Sequence, residues 1–283
     1  MPAMKTPLDR RLTPARPDVA AAHLKGRVEA LRFVEGDRRR VAVGHAGLRR
    51  APNPLAGLET EALYGEEVVV YDELEGWAWV QLSLDGYVGY MPSAALSADL
   101  GPGATHRVAA LRTLLFPEPS IKTPPADALS MGAKVSVADL DGRFAVLDTG
   151  AYAIAAHLAP VNAFEGDPAA VAERFVGAPY LWGGRTSLGL DCSGLLQVSL
   201  AACGIAAPRD ADMQEAALGE AVSLDDVRRN DLLFWKGHVA LVRDRDTIVH
   251  ANGHAMAVAL EPLQAAIARI GAGGDPVTGV RRL

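Results

Sequence analysis

The segment PYLWGGRTSLGLDCSGLLQ, residues 179–197, is the clearest guide to the fold, because a glycine-rich loop leads there into a long apolar run. The run continues to Cys203-Gly204 and predicts a buried helix, which ends at the glycine because glycine readily takes the left-handed conformation after a helix. Cys192 lies at the start of this helix. Three short apolar strand candidates follow, at residues 232–235, 238–242 and 247–250. One helix followed by an antiparallel sheet predicts an α+β domain.

A cysteine at a helix start, followed by two histidines on strands, is the sharpest chemical feature of the sequence. A free cysteine thiol has a pKa of about 8.5, and the unpaired N–H groups of a helix start stabilise its thiolate. An imidazole lowers that pKa further if a third polar group orients it. Cys192, His238 and His250 supply these three roles. The alternative for Cys192 is an inert, buried apolar residue, which is our interpretation of Cys203.

A metal site is the competing explanation for the histidines. The spacing of His250 and His254 would suit zinc if both lay on a helix, but Asn252-Gly253 between them predicts a turn. No second cysteine and no pair of carboxylates stands at ligand spacing from them. The sequence therefore predicts no metal site and no cofactor.

Composition limits the partners of the chain. It has 283 residues, 49% of them apolar, and a formal net charge of −6. These values are typical of a globular protein, and the acidic balance predicts no nucleic-acid partner and no adsorption to a membrane. The N-terminus lacks the apolar core of a secretory signal, so we expect a cytoplasmic protein, although a trimmed chain or a non-classical export route would leave the same pattern. The sequence leaves the oligomeric state open.

A faint internal repeat organises the β-rich part of the chain. Gly65, Val68 and Val70 recur 67 residues later as Gly132, Val135 and Val137. Two copies of one small barrel explain this repeat better than one large sandwich.

Four segments follow from these patterns. We predict an irregular arm rich in proline and arginine over residues 1–22, a first barrel over 23–97, a second barrel over 98–162 and the α+β domain over 163–283.

The motifs resemble those of a known family. The segment 179–197, together with PRDADMQ (208–214), NDLLFWKGHVALV (230–242) and IVHANG (248–253), resembles the NlpC family of papain-like cysteine peptidases. The segment LYGEEVVVYDELEGWAWVQLSLDGYVGYMP, residues 63–92, resembles a bacterial SH3-like barrel. Both resemblances together imply an α+β papain-like peptidase domain preceded by two small all-β SH3-like barrels. This architecture is similar to that of the cell-wall peptidases that cut the γ-D-glutamyl–diaminoacyl bond.

The resemblance implies roles for individual residues. Cys192 corresponds to the nucleophile, His238 to the base and His250 to the group that orients the base. Tyr180 corresponds to a tyrosine whose hydroxyl helps to hold the oxyanion, with a packing aromatic as the alternative.

The resemblance also implies substrate-binding residues. Trp182 corresponds to an aromatic wall of the pocket, and Asp191 and Ser193 flank the nucleophile, although Asp191 could simply cap the helix. Tyr64 and Asp210 correspond to residues that bind the free α-amino group of a substrate L-alanine. The alternatives are a barrel-core tyrosine and a turn aspartate.

The sequence departs from the family pattern at one position near the substrate. Many relatives have a small hydroxyl residue where this chain has Ala211, so one substrate hydrogen bond is in doubt.

The function implied is hydrolysis of a small murein peptide with a free N-terminal L-alanine, in the recycling of cell-wall peptides. An acyltransferase or a deamidase would use the same three residues, because any amine can intercept a thioester. A non-catalytic protein that binds wall fragments is the third interpretation. The sequence does not choose between diaminopimelate and lysine as the diamino acid.

Overall fold

The computed structural model of the protein describes residues 8–283. They divide into two compact units, one ending at Gly103 and the other beginning at Ala104. Unit 1 contains the strands β1 (Val19–Ala21), β2 (Arg32–Val34), β3 (Asp37–Val41), β4 (His45–Arg49), β5 (Leu58–Leu63), β6 (Glu67–Leu74), β7 (Trp77–Leu82), β8 (Val88–Pro92) and β9 (Leu96–Ser97).

Seven strands of unit 1 form one sheet in the order β5-β4-β8-β7-β6-β3-β9. Alternate residues of β6 and β7, among them Val68, Val70 and Val80, face its core. The hairpin between β6 and β7 turns at Glu75-Gly76, where both residues have positive φ (52° and 80°). Such a two-residue turn matches the right-handed twist of the paired strands, and it fixes their register.

The N-terminal arm differs from its prediction as an irregular segment over residues 1–22. β1 is fully buried and pairs in parallel with β2. Arg16 lies over the Trp79 ring, 4.5 Å from its centroid, and donates to the Tyr90 hydroxyl at 3.1 Å. Apolar burial and a cation–π contact therefore fix this part of the chain, and the prediction is wrong from Val19 onward. Residues 1–7 of the predicted arm lie outside the described residues.

The first part of unit 2 repeats a hairpin of unit 1. Its strands are β10 (His106–Val108), β11 (Arg112–Leu115), β12 (Asp127–Ser130), β13 (Lys134–Val135), β14 (Val137–Asp141), β15 (Phe144–Leu147), β16 (Tyr152–Ile154) and β17 (Leu158–Pro160). They form sheets of the orders β13-β10-β17, β11-β12 and β14-β15-β16. β14 and β15 turn at Gly142 (φ 60°), as β6 and β7 turn at Gly76, and Gly132 (φ 91°) corresponds to Gly65 (φ 79°).

The rest of unit 2 combines helices with an antiparallel sheet. The elements are α1 (Pro168–Glu173), β18 (Arg185–Thr186), β19 (Gly189–Leu190), α2 (Cys192–Ala202), α3 (Ala211–Ala217), β20 (Glu220–Ala221), β21 (Leu232–Trp235), β22 (His238–Asp244), β23 (Thr247–Asn252), β24 (Ala257–Pro262), α4 (Leu263–Ala272) and β25 (Val277–Arg282). The main sheet has the order β20-β25-β21-β22-β23-β24. The three predicted strands are β21, β22 and β23, and the predicted α+β fold class is confirmed.

Helix α2 is the centre of this domain. Ala201 is its single exposed residue, which is typical of a helix that is apolar all round. The helix packs against β22 and β23, so its first residue lies beside the strands that carry the two histidines. Within residues 8–283, none of the helices has the length and apolarity that crossing a bilayer requires.

Candidate active site

The start of α2 is held by a capping carboxylate and by a close backbone contact. Asp191 accepts hydrogen bonds from the N–H groups of Gly194 at 2.7 Å and Gly183 at 2.8 Å. A Cβ atom at Gly194 would lie 2.2 Å from the carbonyl oxygen of Gly184, so only glycine fits there. The glycine-rich loop thus lies directly on the helix start and fixes the position of Cys192.

The Cys192 thiol lies against the first residues of β22. Its Sγ is 4.0 Å from the carbonyl oxygen of Gly237, and the N–H of Val239 donates a hydrogen bond to it. These two residues flank His238, so the sulfur and the imidazole belong to one site.

The two histidines form a direct pair on neighbouring strands. Nε2 of His238 lies 2.9 Å from Nδ1 of His250, and the ring centroids are 5.2 Å apart. The Trp235 ring packs beside His238 at a centroid distance of 5.5 Å. Because His250 engages Nε2, Nδ1 is the nitrogen of His238 left to take a proton from a thiol.

A carboxylate that sequence reasoning missed contacts His250 on the side away from His238. Together these hydrogen-bonded residues form a row of polar groups. Nε2 of His250 lies 3.0 Å from Oε2 of Glu261, and Arg269 donates to both oxygens of Glu261, at 2.9 and 2.7 Å. His250 pairs with Ala259 across β23 and β24, so Glu261 is its diagonal neighbour on the same face of the sheet. Only the strand register places Glu261 there, and no sequence motif includes it.

Burial holds the thiol and the imidazoles neutral. It raises the pKa of Cys192 to about 11. The negative charge of Asp191 also raises this pKa, whereas the hydrogen bond from the Val239 N–H group lowers it. Burial also lowers the pKa of His238 to about 3 and that of His250 to about 4. Burial therefore acts against the thiolate predicted from the helix start, because loss of solvation disfavours the charged form.

Arg209 is a second residue that the sequence reasoning passed over, although it lies in the quoted segment PRDADMQ. It is fully buried and donates to both oxygens of Asp191, at 2.9 and 2.8 Å, and to the Ser193 hydroxyl at 2.9 Å. Asp191 and Ser193, predicted to bind substrate, are thus engaged inside the protein. Their contacts favour the alternative interpretation, in which Asp191 caps the helix.

Comparison with known proteins identifies the domain. Residues 177–269 match the NlpC/P60 family, and residues 48–96 match the family described as bacterial dipeptidyl-peptidase Sh3 domain. Residues 177–269 form an NlpC/P60 domain.

Relatives span most of the chain. It is 29% identical to dipeptidyl-peptidase 6 of Lysinibacillus sphaericus, over 73% of this chain and 84% of that protein. It is 28% identical to gamma-D-glutamyl-L-lysine dipeptidyl-peptidase of Bacillus cereus, over 73% of this chain and 71% of that protein. The crystal structure of an NlpC/P60 family protein from Bacillus cereus has the same fold, with a TM-score of 0.75 and 24% identity over 87% of this chain and 99% of that one. The chain is a peptidase, and its substrate class is a peptide.

Two aromatic residues of the NlpC/P60 domain lie on the loop before α2. Tyr180 is half-buried, and burial together with the nearby Cys192 raises its pKa to about 12. Its hydroxyl therefore stays protonated at neutral pH and can donate a hydrogen bond. Trp182 is 67% exposed, so its ring is available to a substrate.

Tyr64 and Asp210 belong to different units of the chain. Tyr64 is buried at the end of β5, and its N–H bonds the carbonyl oxygen of Gly44 at 3.2 Å. Asp210 is half-buried at the start of α3 and makes no capping hydrogen bond to that helix. Ala211 follows it and is buried. The shared role of Tyr64 and Asp210 stays a prediction.

The metal interpretation has no counterpart in the part of the chain that the structure describes. No group of three or more histidine, cysteine, aspartate or glutamate side chains is placed there to hold an ion. His254 lies in the turn between β23 and β24, whereas His250 lies on β23.

Proposed function

We propose that the protein hydrolyses the γ-D-glutamyl–diaminoacyl bond of short murein peptides that have a free N-terminal L-alanine. One observation carries the chemistry: the Cys192 thiol lies between Gly237 and Val239, beside a His238 whose far nitrogen bonds His250. The substrate is supported by relatives named gamma-D-glutamyl-L-lysine dipeptidyl-peptidase and by the match of residues 48–96 to the Sh3 domain of bacterial dipeptidyl-peptidases.

In the proposed reaction, Sγ of Cys192 attacks the γ-carbonyl carbon while its proton passes to Nδ1 of His238. Both groups are neutral beforehand, so attack and proton transfer occur together. The carbonyl oxygen becomes an oxyanion, to which the Tyr180 hydroxyl donates. His238 then gives its proton to the departing amine as the C–N bond breaks. Water attacks the resulting thioester with His238 as base, which restores the thiol and releases L-Ala-γ-D-Glu.

The free amino terminus is the proposed mark of the substrate. An ammonium that leaves water needs an anion, because its unpaired burial would cost several kcal/mol. Asp210 supplies such a carboxylate at the start of α3 in the NlpC/P60 domain. Tyr64 is the proposed second group.

The proposed setting is the cytoplasm, where soluble peptides are recycled. The net charge of −6 supports this setting, because an acidic protein is repelled by anionic surfaces.

Incubation with L-Ala-γ-D-Glu-diaminopimelate and with its lysine counterpart tests the proposal, with the products read by mass spectrometry. We expect L-Ala-γ-D-Glu and the free diamino acid from the wild type and from Cys203→Ala, and no product from Cys192→Ala. Intact peptides with wild-type protein, or equal cleavage by Cys192→Ala, would contradict the proposal. An added amine distinguishes an acyltransferase, which would give the amide instead of the free acid.

A further inference from the structure

The row of polar groups does not end at His250, since Glu261 and Arg269 extend it by two residues. We propose that Glu261, held by Arg269, is a positioning residue that fixes the tautomers of both histidines and so selects Nδ1 of His238 as the base. The inference rests on the proposed function for the role of His238, but its central claim concerns the proton positions alone.

Arg269 fixes the charge of Glu261. Two hydrogen bonds from Arg269 hold the pKa of this carboxyl below its usual range, against the effect of burial. Glu261 is therefore ionised at neutral pH, and an ionised carboxylate only accepts hydrogen bonds. The 3.0 Å contact then requires that Nε2 of His250 carry a proton.

The proton position on His250 in turn fixes that on His238. His250 is neutral at neutral pH, because burial lowers its pKa to about 4. With its one proton on Nε2, its Nδ1 has a lone pair and must accept. The 2.9 Å contact then requires that Nε2 of His238 carry the proton. A neutral His238 so protonated has its lone pair on Nδ1, the nitrogen available to Cys192.

Solvent offers no substitute for the Glu261 carboxylate. His250 is 1% exposed, so bulk water does not compete for its nitrogens. A glutamine at position 261 could donate or accept, and both tautomers of His250 would then be allowed. In the wrong tautomer, Nδ1 of His250 donates to Nε2 of His238, and the proton of His238 moves to the nitrogen that must act as base.

Other charged groups near the site do not replace Glu261. On the α2 side, Asp191 is paired with Arg209, and the thiol of Cys192 is neutral. Tyr180 stays protonated, because burial raises its pKa to about 12. Among these groups, Glu261 is the one that contacts His250 directly.

Nitrogen NMR of the full chain labelled with 15N-histidine tests the proton positions without any substrate. We expect His238 and His250 both to carry the proton on Nε2 in the wild type, and a mixture of tautomers in Glu261→Gln. The variants His238→Ala and His250→Ala assign the signals. A wild-type proton on Nδ1 of either histidine would overturn the proposal, as would unchanged tautomers in Glu261→Gln.

Kinetics provide the second measurement. Because a general base contributes about 100- to 10,000-fold, its partial misplacement in Glu261→Gln should lower kcat by about 10- to 100-fold with KM within about twofold. Glu173→Gln is the matched control, since Glu173 pairs with Arg229 and bonds neither histidine. We expect its kcat to equal that of the wild type. A kcat within about twofold of the wild type in Glu261→Gln would overturn the proposal.

The variant Arg269→Met shows whether Glu261 acts through its charge and hydrogen bond or whether any change at this pair simply disturbs the structure. It removes a cation that lowers the pKa of both histidines, so the acidic limb of the pH profile should move to higher pH. Glu261→Gln removes an anion that raises the pKa of both histidines, so the acidic limb of its pH profile should not move to higher pH. A rise in both variants would overturn the proposal. If the wild type cleaves no murein peptide while both tautomers are as expected, the proposed function fails and the tautomer assignment stands.

Discussion

Arg209 donates a hydrogen bond to each carboxylate oxygen of Asp191, at 2.9 and 2.8 Å, in the interior of the domain directly beside Cys192. The same guanidinium donates to the Gly184 carbonyl at 3.3 Å. One buried cation thus joins the cap of α2 to the loop that lies on it. The helix start that presents Cys192 depends on this pair.

Arg209→Met should therefore unfold far more easily than a surface counterpart. The change leaves the Asp191 carboxylate buried and unpaired, which typically costs about 3–5 kcal/mol. The control is Arg229→Met, since Arg229 is 38% exposed in its pairs with Asp167 and Glu173, and such pairs are worth about 0–1 kcal/mol. Urea unfolding of both variants measures the difference, and equal losses would contradict the role of Arg209.

The neutral thiol should be visible in its alkylation by iodoacetamide. Because burial raises the pKa of Cys192 to about 11, its thiolate fraction should climb about tenfold per pH unit between pH 7 and 9. The rate is measured in Cys203→Ala, so that one thiol reacts, and Cys192→Ala gives the blank. A rate that is already constant below pH 7 would mean that a thiolate exists in the free protein.

Gly194→Ala should destabilise the protein and lower its activity. The added methyl group would meet the Gly184 carbonyl oxygen at 2.2 Å, and the overpacking should cost about 1–3 kcal/mol or more. Gly271→Ala is the matched change in helix α4, where nothing lies within 4 Å and alanine should stabilise by about 0.5–1 kcal/mol. The measurement is the free energy of unfolding of each variant. If both substitutions changed it in the same direction, the close contact at Gly194 would be refuted.

Substitutions at His250 should show whether its hydrogen bond to His238 matters, or only the space that its side chain fills. His250→Asn retains an amide oxygen that can accept from Nε2 of His238, whereas His250→Ala leaves that nitrogen unpaired. We expect the asparagine variant to keep about tenfold more kcat than the alanine variant, and His238→Ala to be the least active. Steady-state kinetics on the tripeptide measure all three. Equal kcat in the two His250 variants would count against orientation.

Recognition of the amino terminus predicts a dependence on the charge of the substrate. Asp210→Asn should lower kcat/KM for the free-amine peptide. If the ammonium is well buried, the loss of transition-state stabilisation should be about 2–5 kcal/mol. Tyr64→Phe removes one hydroxyl, and the loss of transition-state stabilisation should be about 0.5–3 kcal/mol. Both changes should matter far less for the N-acetylated peptide, which serves as the control substrate. Equal cleavage of both peptides by the wild type would refute recognition of the chain end.

The sequence predicts the scaffold of the site well because local signals specify it. A glycine-rich loop, a buried helix and three strands with clear apolar patterns bring Cys192, His238 and His250 to one place. Glu261 depends instead on the register of β23 against β24, which no local pattern contains.

Two other features depend on burial, which the sequence gives only indirectly. Desolvation raises the pKa of Cys192, and an argument from the helix start alone leaves this opposing effect out. The second half of the N-terminal arm looks irregular because it is rich in proline and arginine. Packing on Trp79 and Tyr71 orders it instead.

Arg107 determines where this protein can be divided. It is 7% exposed, and its guanidinium donates to the carbonyl oxygens of Ala163 and Ala202, the latter at the end of α2. A fragment that begins at residue 163 would lack this cation, so the carbonyl oxygen of Ala202 would keep the N–H of Glu165 but lose the guanidinium. A fragment that begins at Ala104 retains both contacts. The smallest piece expected to fold as the catalytic half is therefore residues 104–283, rather than the family match alone.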